Sequence, residues 1–453
     1  MTDNQSVDSM DGEKLEFRTA LPLFLVVMID AFSMTVILPL LPYYGTAFGM
    51  NIVGLGALLA TSPVFEILSS WRVYSTLSKK FGRRPVLIIS QLGTFLGFVL
   101  LGVANAVWIL FLARIVDGIA GANNTIGRKL VRDTLTPNTR THGLGLIDAA
   151  YSLGFLAGPA VGLLTLALTN DDYRMIPFVG AGISLFAVIL SIFLSHETLP
   201  PESRKSSGLG YWKKLVAKIT PLRKPHLLFL FAILFLVQFS YIGFIEFFGL
   251  LALNRLGMNA ISTAVMWLLG ALLVIIVDGS IVGRLSRRYD DRRLIPVGLG
   301  LLAAGLIIAA MIPKVPVVWY SRSEILEELS LGASALGELS ISPKMLIDLP
   351  SEGATGWLGF GWFLIALFLI TVSGSMLIPM LKSILMGNVE GFGPSGVLIV
   401  SSILYKSAFI IVPLVLGFAI WRYGFTAAFL VEGLILLIFL VFTLRLMKSG
   451  TVI

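Results

Sequence analysis

The chain alternates between long apolar stretches and short polar ones, and the apolar stretches share a length. Runs of about 17–25 residues, enough for a helix to cross a bilayer, fall at 20–42, 52–74, 86–105, 107–127, 143–168, 176–194, 227–250, 260–282, 294–312, 357–380, 397–421 and 424–446. Short polar links between most of them suit antiparallel helical hairpins. The pattern predicts an all-α membrane protein with twelve transmembrane helices. Composition agrees: 56% of residues are hydrophobic and 13% charged, whereas soluble domains carry about a quarter charged residues.

The polar links set the expected orientation. Residues 1–19 are acidic (Asp3, Asp8, Asp11, Glu13, Glu16), unlike the basic start of a cleaved signal peptide, so the first span is expected to stay in the mature chain. With the N-terminus placed inside, the outer links hold only Arg174, Arg255, Lys314, Arg322, Lys344 and Arg422 of the 34 Lys and Arg. Basic residues collect on the cytoplasmic side of membrane proteins. Both termini are therefore expected in the cytoplasm, with the chain passing repeatedly through the cell (inner) membrane. This asymmetry accounts for the formal net charge of +8 without a nucleic-acid partner; the bilayer is the expected partner, and a monomer the expected state.

Other chemistries find little support. There is no cysteine, which excludes disulfides, thiol catalysis and Cys-bound metals. His142, His196 and His226 are scattered, so no metal and no cofactor is expected. Neither an ATP-binding GxxxxGK[ST] run nor an HExxH metalloprotease run occurs. The chain does not read as an enzyme.

Two long links divide it. Residues 195–226 lie inside and carry Tyr211, Trp212, Leu215, Val216 and Ile219 at helical spacing, flanked by Lys213, Lys214 and Lys218. That suits an amphipathic helix on the inner leaflet, or a solvated basic linker. Residues 313–356 lie outside and are acidic, an ordered cap or a disordered insertion. The expected organisation is a tail (1–19), a first six-helix half (20–194), the linker (195–226), a second half (227–446) containing the insertion, and a tail (447–453). Leu77-Ser78-Lys79-Lys80-Phe81 after the second span matches Leu285-Ser286-Arg287-Arg288-Tyr289 after the eighth. The offset of 208 is close to the 207 separating the first and seventh span starts. Duplicated halves are a common transporter plan.

The fifth span carries Gly154-Phe-Leu-Ala-Gly158-Pro159-Ala-Val-Gly162, which is similar to the GxxxGPxxG signature of antiporters of the major facilitator superfamily, and the chain as a whole resembles that superfamily. The glycines of this run permit close helix approach, and Pro159 opens the backbone ladder. Asp30 followed by Pro39 resembles the first-span Asp…Pro element, and Arg114…Asp117-Gly118 the fourth-span Arg motif, with Asp117 where Gln is frequent. Gly82-Arg83-Arg84-Pro85 resembles the end of the second-to-third-span loop motif. That loop departs from the pattern: Lys79 stands at its acidic position, and in the second half Gly283 survives while Arg287 replaces the acid. Because no second GPxxG occurs, the twelve-span drug:proton antiporter branch, which includes tetracycline exporters, is the best fit.

An ionisable side chain at membrane depth is costly unless paired or hydrated, so each is a functional candidate. They are Asp30, Glu66, Arg114, Asp117, Asp148, Glu246, Asp278, Lys406 and Glu432. Asp30 is mid-span and leads for proton coupling, because dehydration favours a protonated carboxyl; a permanent pair with Arg114 is the rival reading. Glu66 follows. Arg114 and Asp117 share a helix face and can neutralise each other. Lys406 can pair with an acid such as Glu246 or Glu66, or meet an anionic substrate group. Asp148 and Asp278 lie near cytoplasmic ends, and Glu246 and Glu432 toward the outer side. Phe235, Phe239, Tyr241, Phe244, Phe247 and Phe248 could line an apolar pocket or face lipid. The expected function is proton-coupled antiport exporting hydrophobic or cationic small molecules. The alternatives are proton-linked uptake, lipid export, or a non-transporting sensor or partner protein.

Overall fold

The computed structural model describes residues 24–33, 35–37, 41–69, 75–121, 126, 140–169, 175–194, 197, 224–327, 349–351, 355–387 and 395–448. The N-terminal tail, residues 449–453 of the C-terminal one, most of the 195–226 linker and the middle of the 313–356 insertion lie outside the described residues, as do the side chains of Lys79, Asp148 and Arg287.

Helices are the only regular secondary structure among the described residues. In chain order they are α1 (Phe24–Ile37), α2 (Leu41–Ala47), α3 (Ile52–Ser69), α4 (Ser75–Lys80), α5 (Arg83–Gly102), α6 (Val107–Ala120), α7 (Arg140–Leu168), α8 (Met175–Leu194), α9 (Pro225–Leu256), α10 (Ala260–Ile276), α11 (Gly283–Arg288), α12 (Asp291–Met311), α13 (Trp357–Gly387) and α14 (Ser395–Lys448). Among the described residues nine helices are long and apolar enough to cross a membrane. The 54-residue α14 is broken at Gly424, where φ is 80° and ψ 168°, between the last two expected spans. The first and fourth expected spans coincide with the shorter α1 and α6. Every expected apolar run meets a helix.

Local chemistry fixes several ends. Pro225 opens α9, where its missing N–H costs nothing. Gly257 closes that helix in the left-handed region at φ 60°. Asn259 caps α10 by accepting the Ser262 N–H at 2.9 Å, and Asp290 caps α12 by accepting from Arg292 at 3.1 Å. Between α10 and α11 the turn Val277–Val282 is π-helical. Large apolar side chains such as Phe193 and Leu168 stand more than 70% exposed, as lipid-facing positions require.

Two compact units emerge. The first comprises Met1–Leu38, Thr61–Ser207 and Ala335–Gly337, the second Pro39–Ala60, Gly208–Ser334 and Glu338–Ile453. Within the first, α5 packs on α6 and α8. Within the second, α12 packs on α13 and α14, and α9 lies against the same two. The third expected span thus contacts the fourth and sixth, and the ninth contacts the tenth and twelfth, so the duplication seen in sequence recurs in packing. The repeated pentapeptides match in detail as well: Lys80 Nζ sits 5.3 Å from the Phe81 ring and Arg288 Cζ 5.7 Å from the Tyr289 ring.

The segment Pro39–Ala60 groups with the second unit although it precedes the expected midpoint of the chain. Tyr43 Oη donates to the Met258 carbonyl at 2.9 Å and lies 2.8 Å from Thr263 Oγ1. A Cβ on Gly56 would stand only 2.2 Å from the Pro413 carbonyl oxygen, so α3 and α14 meet backbone to backbone there.

Candidate functional site

In the first unit, α1 carries Asp30 and α7 carries the glycine run. A Cβ on Gly154 would lie 2.0 Å from the Met28 carbonyl oxygen, and one on Gly158 would lie 2.1 Å from Thr35 Oγ1 and 2.7 Å from the Val36 nitrogen. Only glycine allows this approach, which brings Thr35 Oγ1 within 3.4 Å of the Gly154 carbonyl. Pro159 lies inside α7, and Gly162 is buried one turn from Gly158.

Asp30 lines a small cleft, together with Ser33 of α1, Gln91 and Thr94 of α5, and Ser184 of α8. Ser33 and Ser184 bring their hydroxyls to 3.3 Å. Gln91 is 3% exposed, and neither polar atom of its amide has a hydrogen-bond partner. A carboxyl, three hydroxyls and an orphaned amide surrounding a space can hold water or a proton.

Arg114 and Asp117 meet. Their Nη1 and Oδ2 are 3.3 Å apart on α6, with side chains 18% and 28% exposed. Ser62 of α3 donates to the same Oδ2 at 2.9 Å. The pair is set by close packing, since a Cβ on Gly118 would be 2.4 Å from the Ser62 carbonyl oxygen. Glu66, half-buried on α3, packs beside Gly121, whose Cβ would lie 2.9 Å from Glu66 Cγ.

At the loop, Gly82 has φ 101° and ψ 170°, a left-handed region that favours glycine. The structure adds Glu197, which the sequence offered no means of finding. Its Oε1 accepts the Arg83 N–H at 3.0 Å and its Oε2 the Arg84 N–H at 3.2 Å, and a Cβ on Gly82 would collide with it. A carboxylate here satisfies orphan donors at the start of α5 and complements the helix dipole. Arg84 also reaches the Ile192 carbonyl at the end of α8.

The second unit holds the remaining candidates. A Cβ added to Gly283 would meet nothing within 4 Å. Lys406 is half-buried on α14; Glu246 of α9 and Glu432 of α14 are 5% and 6% exposed. Phe244, Phe247 and Phe248 face neither lipid nor a pocket, being at most 3% exposed. Phe248 packs 4.9 Å from Phe363 and edge-on to Trp267, and Phe244 meets Phe429. They are the core of the unit. Asp278 sits in the π-helical turn with the Ser375 hydroxyl within hydrogen-bond reach of it and of Tyr241. No cluster of three or more potential metal ligands occurs among the described residues.

Membrane-length helices, close glycine crossings and polar groups at membrane depth suit a membrane carrier. Residues 23–335 match the Major Facilitator Superfamily, and the chain belongs to that family of transporters. It is 27% identical over 316 residues to the class E tetracycline resistance protein of Escherichia coli, covering 67% of this chain and 74% of that one. To multidrug resistance protein 2 of Bacillus subtilis (strain 168) it is 23% identical over 297 residues, 63% and 72% of the two chains. The crystal structure of the human organic anion transporter MFSD10 shares its fold with a TM-score of 0.60 at 20% identity, over 94% of this chain and 99% of that one.

Proposed function

We propose that this protein is a proton-coupled antiporter that exports hydrophobic or cationic small molecules by alternating access. The observation that carries the reading is the seating of Asp30: it lines a polar cleft on the same helix that the glycine run of α7 clasps. A carboxyl in such a cleft can take a proton while dehydrated and release it when hydrated or approached by a cation. A change of one pKa unit is about 1.4 kcal/mol, so a modest change of surroundings switches its occupancy. The close α1–α7 crossing would carry movement of α1 into the cleft.

Relatedness to tetracycline and multidrug resistance proteins supports export of drug-like molecules. Cationic cargo is further supported by the second unit, where the Asp278 carboxylate and the Tyr241 phenol share Ser375; carboxylate and aromatic ring together suit a cation.

Inverted membrane vesicles with an imposed pH gradient test the proposal, using a tetracycline, a lipophilic cation and an organic anion as probes. Gradient-driven accumulation of the first two is expected. Asp30→Asn should still bind substrate but lose gradient-driven accumulation. Uphill transport by Asp30→Asn would remove Asp30 from the coupling role, and accumulation of the anion alone would overturn the cargo assignment.

A further inference from the structure

Glu432 is a deeply buried acid, 6% exposed, and neither of its carboxyl oxygens finds a settled hydrogen bond. The Ser240 hydroxyl of α9 lies beside it yet is itself buried and unsatisfied, as are both amide atoms of Gln238. A Cβ on Gly243 would be 3.9 Å from Glu432 Oε1, so a glycine leaves the carboxyl its room. An ionised carboxylate so enclosed would cost several kcal/mol. A protonated one fits, and its O–H can turn toward Ser240.

The duplication places this group. Ser240 lies 207 residues after Ser33, the interval between the starts of the first and seventh apolar runs. Glu432 lies 248 residues after Ser184, the interval between the starts of the sixth and twelfth runs. Ser33 and Ser184 touch in the first unit, at the Asp30 cleft. The Ser240–Glu432 neighbourhood is therefore the same first-to-sixth helix crossing in the second half, with the acid on the other helix of the pair.

We propose that Glu432, with Ser240, forms a second proton-binding site in the C-terminal half, mirroring the Asp30 cleft. Its place in a transport cycle rests on the antiport reading; the site itself does not. Chargeable groups on the elements packed against it are Glu246, Tyr241, His226 and Arg255 of α9, and Asp291, Arg292 and Arg293 of α12. Lys382 of α13 and, on α14 itself, Tyr405, Lys406, Arg422, Tyr423, Arg445 and Lys448 are the others. At the carboxyl the neighbours are Ser240 and Gly243.

Infrared spectroscopy of the purified protein in lipid nanodiscs, titrated from about pH 5 to about pH 9, reads the C=O stretch of protonated carboxyls. A band that persists in Asp30→Asn, disappears in Glu432→Gln and changes intensity with pH is expected. A spectrum unchanged by Glu432→Gln overturns the proposal. So does a Glu432 band that never varies with pH, which would mark a permanently neutral packing group. Should Glu432→Gln fail to fold, Ser240→Ala serves: removing the neighbouring hydroxyl must move the band, and an unmoved band counts against the site. Absence of proton-driven export by the unaltered protein would instead defeat the antiport reading, leaving the band to decide the site.

Discussion

Gly154→Ala adds one methyl group at the tightest crossing in the first unit. The new Cβ would lie 2.0 Å from the Met28 carbonyl oxygen and 3.0 Å from Ala31 Cβ, and real Cβ atoms essentially never approach within 3.0 Å of a neighbour. The first obstacle is backbone, which cannot swing aside as a flexible side chain can. Helices α1 and α7 must therefore part by about 1 Å, breaking close packing along several turns. Overpacking of this kind costs about 1–3 kcal/mol. Alanine returns up to about 1 kcal/mol by its higher helix propensity, so the raw difference would understate the clash.

Gly182→Ala supplies the reference. Gly182 lies within α8 and has nothing within 4 Å of its Cβ position, so it gains the same propensity without the collision. Comparing the two variants cancels propensity and leaves the crossing term, about 1–3 kcal/mol. Thermal unfolding of both purified proteins in one detergent, followed by drug export from cells at matched expression, measures it. Gly154→Ala should melt several degrees below Gly182→Ala and export more slowly. Equal melting and equal export would mean that α1 and α7 are not held at this distance, and the clasp on the Asp30 helix would lose its basis.

Three further outcomes follow from the geometry. Glu197→Ala strands the Arg83 and Arg84 N–H groups and should cost about 1–3 kcal/mol, while Glu197→Gln, which keeps an acceptor but loses the charge, should cost about 1 kcal/mol or less; equal melting of all three proteins would refute the cap. Asp117→Asn and Arg114→Ala should couple by about 0.5–3 kcal/mol in a double-mutant cycle read by thermal unfolding, and additive effects would show that the 3.3 Å pair contributes nothing. For topology, an impermeant thiol reagent on intact cells should label Ser323→Cys and spare Arg288→Cys, both exposed positions of a chain without native cysteine; the reverse result would invert the orientation.

The fold was largely legible because bilayer thickness turns apolar run length into helix position. The pentapeptide repeat likewise anticipated the parallel packing of α5 and α12. What remained hidden depends on contacts between distant parts of the chain. Glu197 stands 114 residues from Arg83 and carries no motif, so its role appears only once the end of α8 is placed beside the start of α5. Depth along a span ranked Asp30 above Glu432 but said nothing of the partners each would meet. The aromatic run of α9 could not be divided by spacing, because Phe244, Phe247 and Phe248 are selected for the core by what α13 and α14 present to them. Arg114 and Asp117 were readable as a pair from their spacing; the third member, Ser62, came from another helix.

The two ends that open the third and ninth spans show why a family resemblance and a physical reading diverge at the loop. By pattern, the loop lacks its acid, since Lys79 and Arg287 are basic. Yet each following helix still faces N–H groups that need acceptors. In the second half Asp290, adjacent in sequence, accepts from Arg292. In the first half no acid lies so near, and Glu197 reaches across from beyond α8, tying the third and sixth spans together through backbone donors. Gly82 is the condition for that reach, because any Cβ there would occupy the space of the carboxylate. The requirement for an anion at a helix start is thus met twice, once by a local cap and once by a tertiary one. The tertiary cap can be broken by separating α5 from α8, whereas the local cap travels with α12. A motion that displaces α8 should therefore loosen the first-half loop and leave the second-half loop intact.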